Sequence, residues 1–312
     1  MKKLLLTLVF IGLLVSCKSK EIKKIKNPPN IVIIYADDLG WVDVGYNKYS
    51  KFYETPYIDK LASEGLILNR FYPSAANCAP SRASMMSGMF TPKHGVYLPQ
   101  GLSRGGAIEE MRFKVPTHDA DSSFNTFPVS INQLNPDFMS LAELLNQAGY
   151  KTARYGKWHI GQDNQGFEVN SANGEIGYIT NHGKSEKRFY SDTLVAEKLT
   201  TASIDFIKEN KKEPFFLYLA HWEVHGPNKA RKDRISYFQN KKESLGFSEF
   251  NAVYAAEVEQ LDMSVKRIYQ ALKDENLLEN TLFIFASDNG GVPTNTQNYP
   301  LREGKGTFYE GG

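Results

Sequence analysis

The chain has 312 residues, of which 41% are hydrophobic and 23% charged, with a formal net charge of +2. This is globular composition, with enough apolar residues for one large core or two smaller ones, and it excludes a wholly disordered or fibrous chain. Residues 1–26 hold seven lysines and one glutamate, so the remainder carries a net charge of −4, which leaves no global electrostatic footprint for nucleic acid.

Met1-Lys2-Lys3 is a basic start, followed by an apolar run from Leu4 to Val15. That run is too short to span a bilayer comfortably and has the form of a signal h-region. Leu14-Val15-Ser16-Cys17 looks like a bacterial lipobox, in which the cysteine is lipidated and becomes the mature N-terminus. The plainer alternative is an ordinary signal peptide with an incidental cysteine. Residues 1–17 are therefore expected to be a lipoprotein signal, and residues 18–29, rich in lysine and closed by Pro28-Pro29, a tether. Residues 30–312 form the folded body. The expected location is periplasmic or cell-surface, anchored to a bacterial membrane through Cys17. Export favours disulfides. With Cys17 acylated, Cys78 has no intramolecular partner and becomes a candidate for reactivity or modification.

Asn30 to Ala36 is a continuous apolar, β-branched run, which predicts a strand buried on both faces. Pro56 to Glu64 predicts a helix stopped by Gly65, with Leu66 to Phe71 as the next strand. Pro80 suits the first turn of a helix that Ser81 to Ser87 can continue, placing Cys78 at its N-terminus. Ser140 to Gln147 is amphipathic and leads through Gly149 to a strand at Lys151 to Tyr155. Asp192 to Glu209 predicts a long helix before the strand Phe215 to Ala220. Ser248 to Lys273 predicts another, before the strand Thr281 to Ser287. Residues 99–139 and 161–190 read as long surface loops. Strands alternate with helices, so the fold class is α/β with a mostly parallel central sheet and helices on both faces.

Four predicted strand exits carry polar residues: Asp37-Asp38, Lys157 to His159, His221 to His225, and Asp288-Asn289. Open α/β sheets bind ligands outside the carboxyl ends of their strands, so these could converge on one crevice. Asp37, Asp38, Asp288 and Asn289 are hard oxygen ligands suited to Ca²⁺ or Mg²⁺; any one of them alone is better explained as a turn or cap residue, but the two pairs together with the Cys78 segment favour metal binding. A helix N-terminus favours anions and would lower the Cys78 thiol pKa. Arg82, one turn on, could reach the same position.

The stretch Cys78-Ala79-Pro80-Ser81-Arg82, continuing to Gly88, resembles the activation signature of type I sulfatases of the alkaline-phosphatase-like superfamily. The resemblance implies that a modifying enzyme oxidises Cys78 to formylglycine. It implies Ca²⁺ held by Asp37, Asp38, Asp288, Asn289 and the modified Cys78. One hydroxyl of the hydrated aldehyde attacks sulfur and expels the alcohol; deprotonation of the other releases sulfate, and Arg82 would bind the hydrate or its oxyanion. Lys157 and Lys305 match the family's sulfate-binding lysines, and His159 its catalytic histidine. His225 matches the second histidine, a general acid for the leaving group, with His221 as competitor. His94 resembles a position near the site. Trp158 and Trp222 could line the pocket or the core, and His118, His182 and Arg188 sit in the long loops.

The implied reaction is sulfate monoester hydrolysis, with sulfated carbohydrate as the expected substrate. The alternatives are a phosphonate monoester or phosphodiester hydrolase with the same nucleophile, and a non-catalytic glycan-binding lipoprotein on the same scaffold. The sequence ends at Glu310-Gly311-Gly312 without a closing element. The family resemblance implies further sheet and a smaller C-terminal subdomain beyond that point.

Overall fold

A computed structural model describes residues 27–99, 130–131, 133–161, 164–170, 194–246 and 249–312. The lipobox with Cys17, the lysine-rich part of the tether, and His118, His182 and Arg188 lie outside them, as do most of the two long loops.

β1 (Asn30–Ala36) is the apolar run expected at the start of the folded body. It lies between β4 (Phe215–Ala220) and β5 (Thr281–Ser287), parallel to both. β4 pairs in parallel with β2 (Lys151–Gly156), which pairs with the two-residue β3 (Val169–Asn170). The strand order is β3-β2-β4-β1-β5. Parallel strands covered on both faces read as unbroken hydrophobic runs, which is what β1 and β4 are.

The described helices are α1 (Pro56–Glu64), α2 (Cys78–Ser87), α3 (Thr91–His94), α4 (Leu141–Gln147), α5 (Val195–Glu209), α6 (Lys232–Leu245) and α7 (Ala252–Asp274). They cover both faces of the sheet. On one, Val32, Ile34, Leu217 and Leu219 pack with Leu199 and Phe206 of α5 and with Leu261 and Val265 of α7. On the other, Ile33, Tyr35, Phe216 and Tyr218 pack with Ala79, Ala83 and Met86 of α2 and Ala142 of α4.

Three element assignments change. Leu66 to Phe71 is not a strand: Leu66 is 83% and Phe71 74% exposed, and no described strand lies beside the segment to complete a ladder. α7 starts at Ala252 because Asn251 caps it, its Oδ1 accepting from Val253 N and Tyr254 N at 3.0 and 3.2 Å. α6 occupies a stretch with no expected element; only Phe238 of its 14 residues is buried, so its sequence carries almost no periodic signal.

Candidate active site

β1 ends at Ala36, but its ladder runs on. Asp288 N donates to Ala36 O at 3.1 Å, Asp37 N to Glu223 O at 2.9 Å and Val224 N to Asp37 O at 2.7 Å. The exits of β1, β4 and β5 are thereby stitched side by side, with Asp37, Asp38 and Asp288 all buried. Asp38 sits at φ 63°, a left-handed conformation that aspartate tolerates better than most residues, and its N–H bonds Asp288 Oδ1 at 3.2 Å.

α2 delivers the cysteine. Asn77 is its N-cap and Cys78 its first residue, 1% exposed. The 302–312 loop is tied alongside by Gly306 N donating to Ala76 O at 2.8 Å. One ligand atom from each of Asp37, Asp38, Cys78 and Asp288 lies within 4.8 Å of the others. Asn289 joins them, its Nδ2 donating to Asp38 Oδ1 at 2.8 Å. Asn289 Oδ1 and Asp37 Oδ1 are buried oxygens that no hydrogen-bond donor among the described residues reaches. A buried, anionic, oxygen-rich cluster with two such orphaned acceptors fits a hard divalent cation.

Three cations meet the three carboxylates. Arg82, fully buried, donates from Nε to Asp288 Oδ2 at 2.8 Å and from Nη1 to Lys157 O at 2.9 Å, with Nη2 2.7 Å from Asp288 Oδ2 and 3.6 Å from Asp37 Oδ1. Lys157 Nζ is 2.5 Å from Asp37 Oδ2. Lys305 Nζ is 2.6 Å from Asp38 Oδ1 and 3.3 Å from Cys78 Sγ. Burial pushes Asp37 up, but Lys157, His225 and Arg82 outweigh it and hold this carboxyl well below the ordinary carboxylate range. Burial and the charge of Asp37 push Asp288 up to about 7. Arg82 therefore reaches the cluster as expected, but it grips Asp288 and the Lys157 carbonyl, which holds the carboxylates together.

The Cys78 thiol contradicts the expected direction. Burial first, then Asp37, with Asp288 and Asp38 adding, raises its pKa far above 9.0 despite Lys157. One helix terminus contributes a fraction of a charge, too little against desolvation and three carboxylates. The unmodified side chain is a neutral thiol.

The two histidines after β4 part company. His225 Nε2 is 3.8 Å from Asp38 Oδ2. Its Nδ1 is 2.7 Å from Gly226 O, which can only accept, so Nδ1 carries a proton and Nε2 is the nitrogen presented to the cluster. His221 is fully buried and turns away: its Nε2 meets Ser264 Oγ of α7 at 2.8 Å. His159, half-buried at φ 65°, has its pKa held well below 6.5 by burial, with the charges of Lys157 and Arg82 adding.

A sulfatase family profile matches residues 29–312. The chain belongs to the sulfatase family. It is 33% identical to a sulfatase of Formosa agariphila over 98% of its own length and 66% of that protein. It is 30% identical to human N-acetylgalactosamine-6-sulfatase over 91% of its length and 55% of that enzyme. Among solved structures it superposes on Ps i-CgsB in complex with k-i-k-neocarrahexaose with a TM-score of 0.68 at 30% identity, covering 91% of this chain and 64% of that one. The chain thus spans between about half and two thirds of the length of these relatives.

Other residues singled out in the sequence have definite places around the cluster. His94 Nε2 meets Ser84 Oγ at 2.9 Å and its Nδ1 accepts from Val96 N, so it braces α2 from behind. Trp158 stacks under Arg154 at 4.4 Å and edge-on to Phe167, on the core side. Trp222 faces the site, with Lys157 Nζ 5.5 Å from its ring. Asp43 was not anticipated. It is fully buried and gathers Gly40 N, Tyr254 Oη and Thr296 Oγ1, tying the loop after β1 to α7 and to the loop after β5. Its only sequence signal is its position six residues after Asp37.

Proposed function

We propose that the protein hydrolyses sulfate monoesters on carbohydrates, with a formylglycine matured from Cys78 and a calcium ion held by Asp37, Asp38, Asp288, Asn289 and the matured residue. The observation that carries this reading is the convergence of three buried carboxylates and Cys78 within 4.8 Å, ringed by Arg82, Lys157, Lys305 and His225. The matured side chain would supply the hydroxyl nucleophile that an inert, protonated thiol cannot. The bound calcium would polarise that oxygen and offset charge on the sulfate.

The chain's own residues do the rest. A cation taking the Asp37 and Asp38 oxygens leaves the Lys157 and Lys305 ammoniums to the sulfate oxygens. Arg82 keeps Asp288 oriented. His225, with Nδ1–H held by Gly226 O, must also be protonated at Nε2, as the imidazolium, and it is that Nε2 proton that passes to the departing alcohol oxygen. Water is consumed overall, and the products are an alcohol and inorganic sulfate. Carbohydrate substrates are supported by a relative named N-acetylgalactosamine-6-sulfatase and by a second protein, Ps i-CgsB, whose structure is in complex with k-i-k-neocarrahexaose. Attachment to a bacterial membrane through Cys17, facing the periplasm or the cell surface, completes the reading.

The test is peptide mass spectrometry across Cys78 in protein expressed with a formylglycine-generating enzyme, alongside sulfate release from sulfated saccharides. The expected result is a loss of about 18 Da from the thiol form, with turnover abolished in Cys78→Ala. Turnover retained in that variant overturns the proposal.

A further inference from the structure

His225 rides on a loop, residues 221–231, that has no helix or strand of its own. One side of the loop is pinned to the site by the exchange between Val224 N, Asp37 O, Asp37 N and Glu223 O. The other side is pinned from α7. Glu257 sends both carboxylate oxygens into the loop: Oε1 accepts from Lys229 N at 2.5 Å and Oε2 from Asn228 Nδ2 at 2.5 Å. The same Asn228 Nδ2 donates to Val224 O at 2.9 Å. Val224 O belongs to the peptide unit that leads into His225, whose N–H donates to Trp222 O at 2.9 Å. Both polar groups of the peptide preceding the histidine are therefore held, one of them through Asn228 by Glu257.

Glu257 is 5% exposed and lies among Ala256, Val258 and Leu261, all fully buried. An apolar residue would suit that core-facing position better, because burying a carboxylate costs free energy unless it is well bonded. Burial in fact pushes the Glu257 carboxyl up to about 8 despite Asn228 and Lys229 N. What this carboxyl group offers here, and an apolar residue does not, is two oxygens aimed at the loop, one meeting Asn228 Nδ2 and the other Lys229 N.

We infer that Glu257, acting through Asn228, is a positioning residue that holds His225 Nε2 within reach of the departing oxygen. This rests on the assignment of His225 as proton donor. Proton transfer needs a heavy-atom separation of about 2.6–3.2 Å, and a misplacement of about 1 Å can cost roughly 10²-fold in rate. The benefit of a general acid is largest for poor leaving groups, so loss of positioning has a kinetic signature that loss of stability lacks.

The experiment measures kcat for an aryl sulfate series from 4-nitrophenyl sulfate to phenyl sulfate. It compares the full-length, formylglycine-bearing protein with Glu257→Gln, Asn228→Ala and His225→Ala. Glu257→Gln keeps the side chain's size but leaves one acceptor oxygen for two donors, Asn228 Nδ2 and Lys229 N, so one of the two bonds is lost. Asn228→Ala changes only a half-buried loop residue and carries the test should Glu257→Gln fold poorly. The expected result is that both variants stay within about threefold of wild type on 4-nitrophenyl sulfate and lose roughly 10-fold to 100-fold on phenyl sulfate. His225→Ala follows the same trend more steeply. A loss in both variants that is uniform along the series overturns the inference, because it reports general destabilisation. A steep trend in Glu257→Gln beside a flat one in Asn228→Ala overturns the route through Asn228. A flat His225→Ala series brings down the proton-donor assignment itself, and this inference with it.

Discussion

Arg82 is the member of the cluster whose removal has the most calculable consequence. It is fully buried, forks onto Asp288 at 2.8 and 2.7 Å, bonds Lys157 O at 2.9 Å and sits 3.6 Å from Asp37. With Arg82, Lys157 and Lys305 against Asp37, Asp38 and Asp288, the buried charges balance. Arg82→Leu leaves one fully buried carboxylate uncompensated. Removing one partner of a buried ion pair costs roughly 3–5 kcal/mol, a large share of the ~5–15 kcal/mol that holds a typical domain together. Arg82→Lys keeps the charge but not the fork, since one ammonium cannot serve both Asp288 and the Lys157 carbonyl; a loss of about 1.5–3 kcal/mol is expected. Urea unfolding read by fluorescence gives both values. Calcium provides a second measurement that does not depend on activity. Because Arg82→Leu makes the site more anionic, its calcium affinity should exceed that of wild type. Each tenfold gain in affinity adds about 1.4 kcal/mol of stabilisation at a fixed, saturating calcium concentration. Arg82→Leu as stable as wild type, or stabilised by calcium no more than wild type, would refute the charge balance on which this rests.

Asp43 lies outside the ligand cluster, and burial pushes its carboxyl from 3.8 up to about 7 in spite of Thr296, Tyr254 and Gly40. The native acid stays protonated while the unfolded one ionises, so native protein binds the extra proton between these values and loses stability as pH rises from about 4 to about 7, by up to roughly 4 kcal/mol. Asp43→Asn mimics the neutral acid and should flatten that dependence in thermal melts; an unchanged pH slope would remove Asp43 as its source. Gly156 closes β2 at φ 90°, and a Cβ there would fall 1.9 Å from Ala220 O, a backbone atom. Gly156→Ala is expected to cost more than ~3 kcal/mol from left-handed strain plus a clash that only separation of β2 from β4 can relieve. Soluble protein with a wild-type melting point would show that the strand exits tolerate that separation.

How far the sequence leads depends on whether a feature is local. Asn30–Ala36 can be located because a strand covered on both faces needs an unbroken apolar run, Thr281–Ser287 because its apolar run persists although it is only partly buried, and the carboxylates just past them follow from where parallel sheets bind ligands. Ser140 likewise announces α4, its Oγ accepting from Glu143 N while Glu143 bonds back to Ser140 N. Leu66 to Phe71 has strand composition, yet composition cannot supply the neighbouring strand that a ladder requires. The Cys78 thiol fails for a related reason. The helix N-terminus is a local feature with a small effect, whereas the three carboxylates that outweigh it come from positions 37, 38 and 288. His221 and His225 show the limit most clearly. They are four residues apart after one strand and equivalent by spacing, but the loop bonded to Asp37 on one side and to Glu257 on the other turns His221 to Ser264 and His225 to Asp38. That arrangement joins local bonds from Trp222, Val224 and Asn228 to partners remote in sequence, Asp37 and Glu257. The remote partners leave no mark near the histidines, and Glu257, in the middle of a helix, is by pattern alone one more polar position.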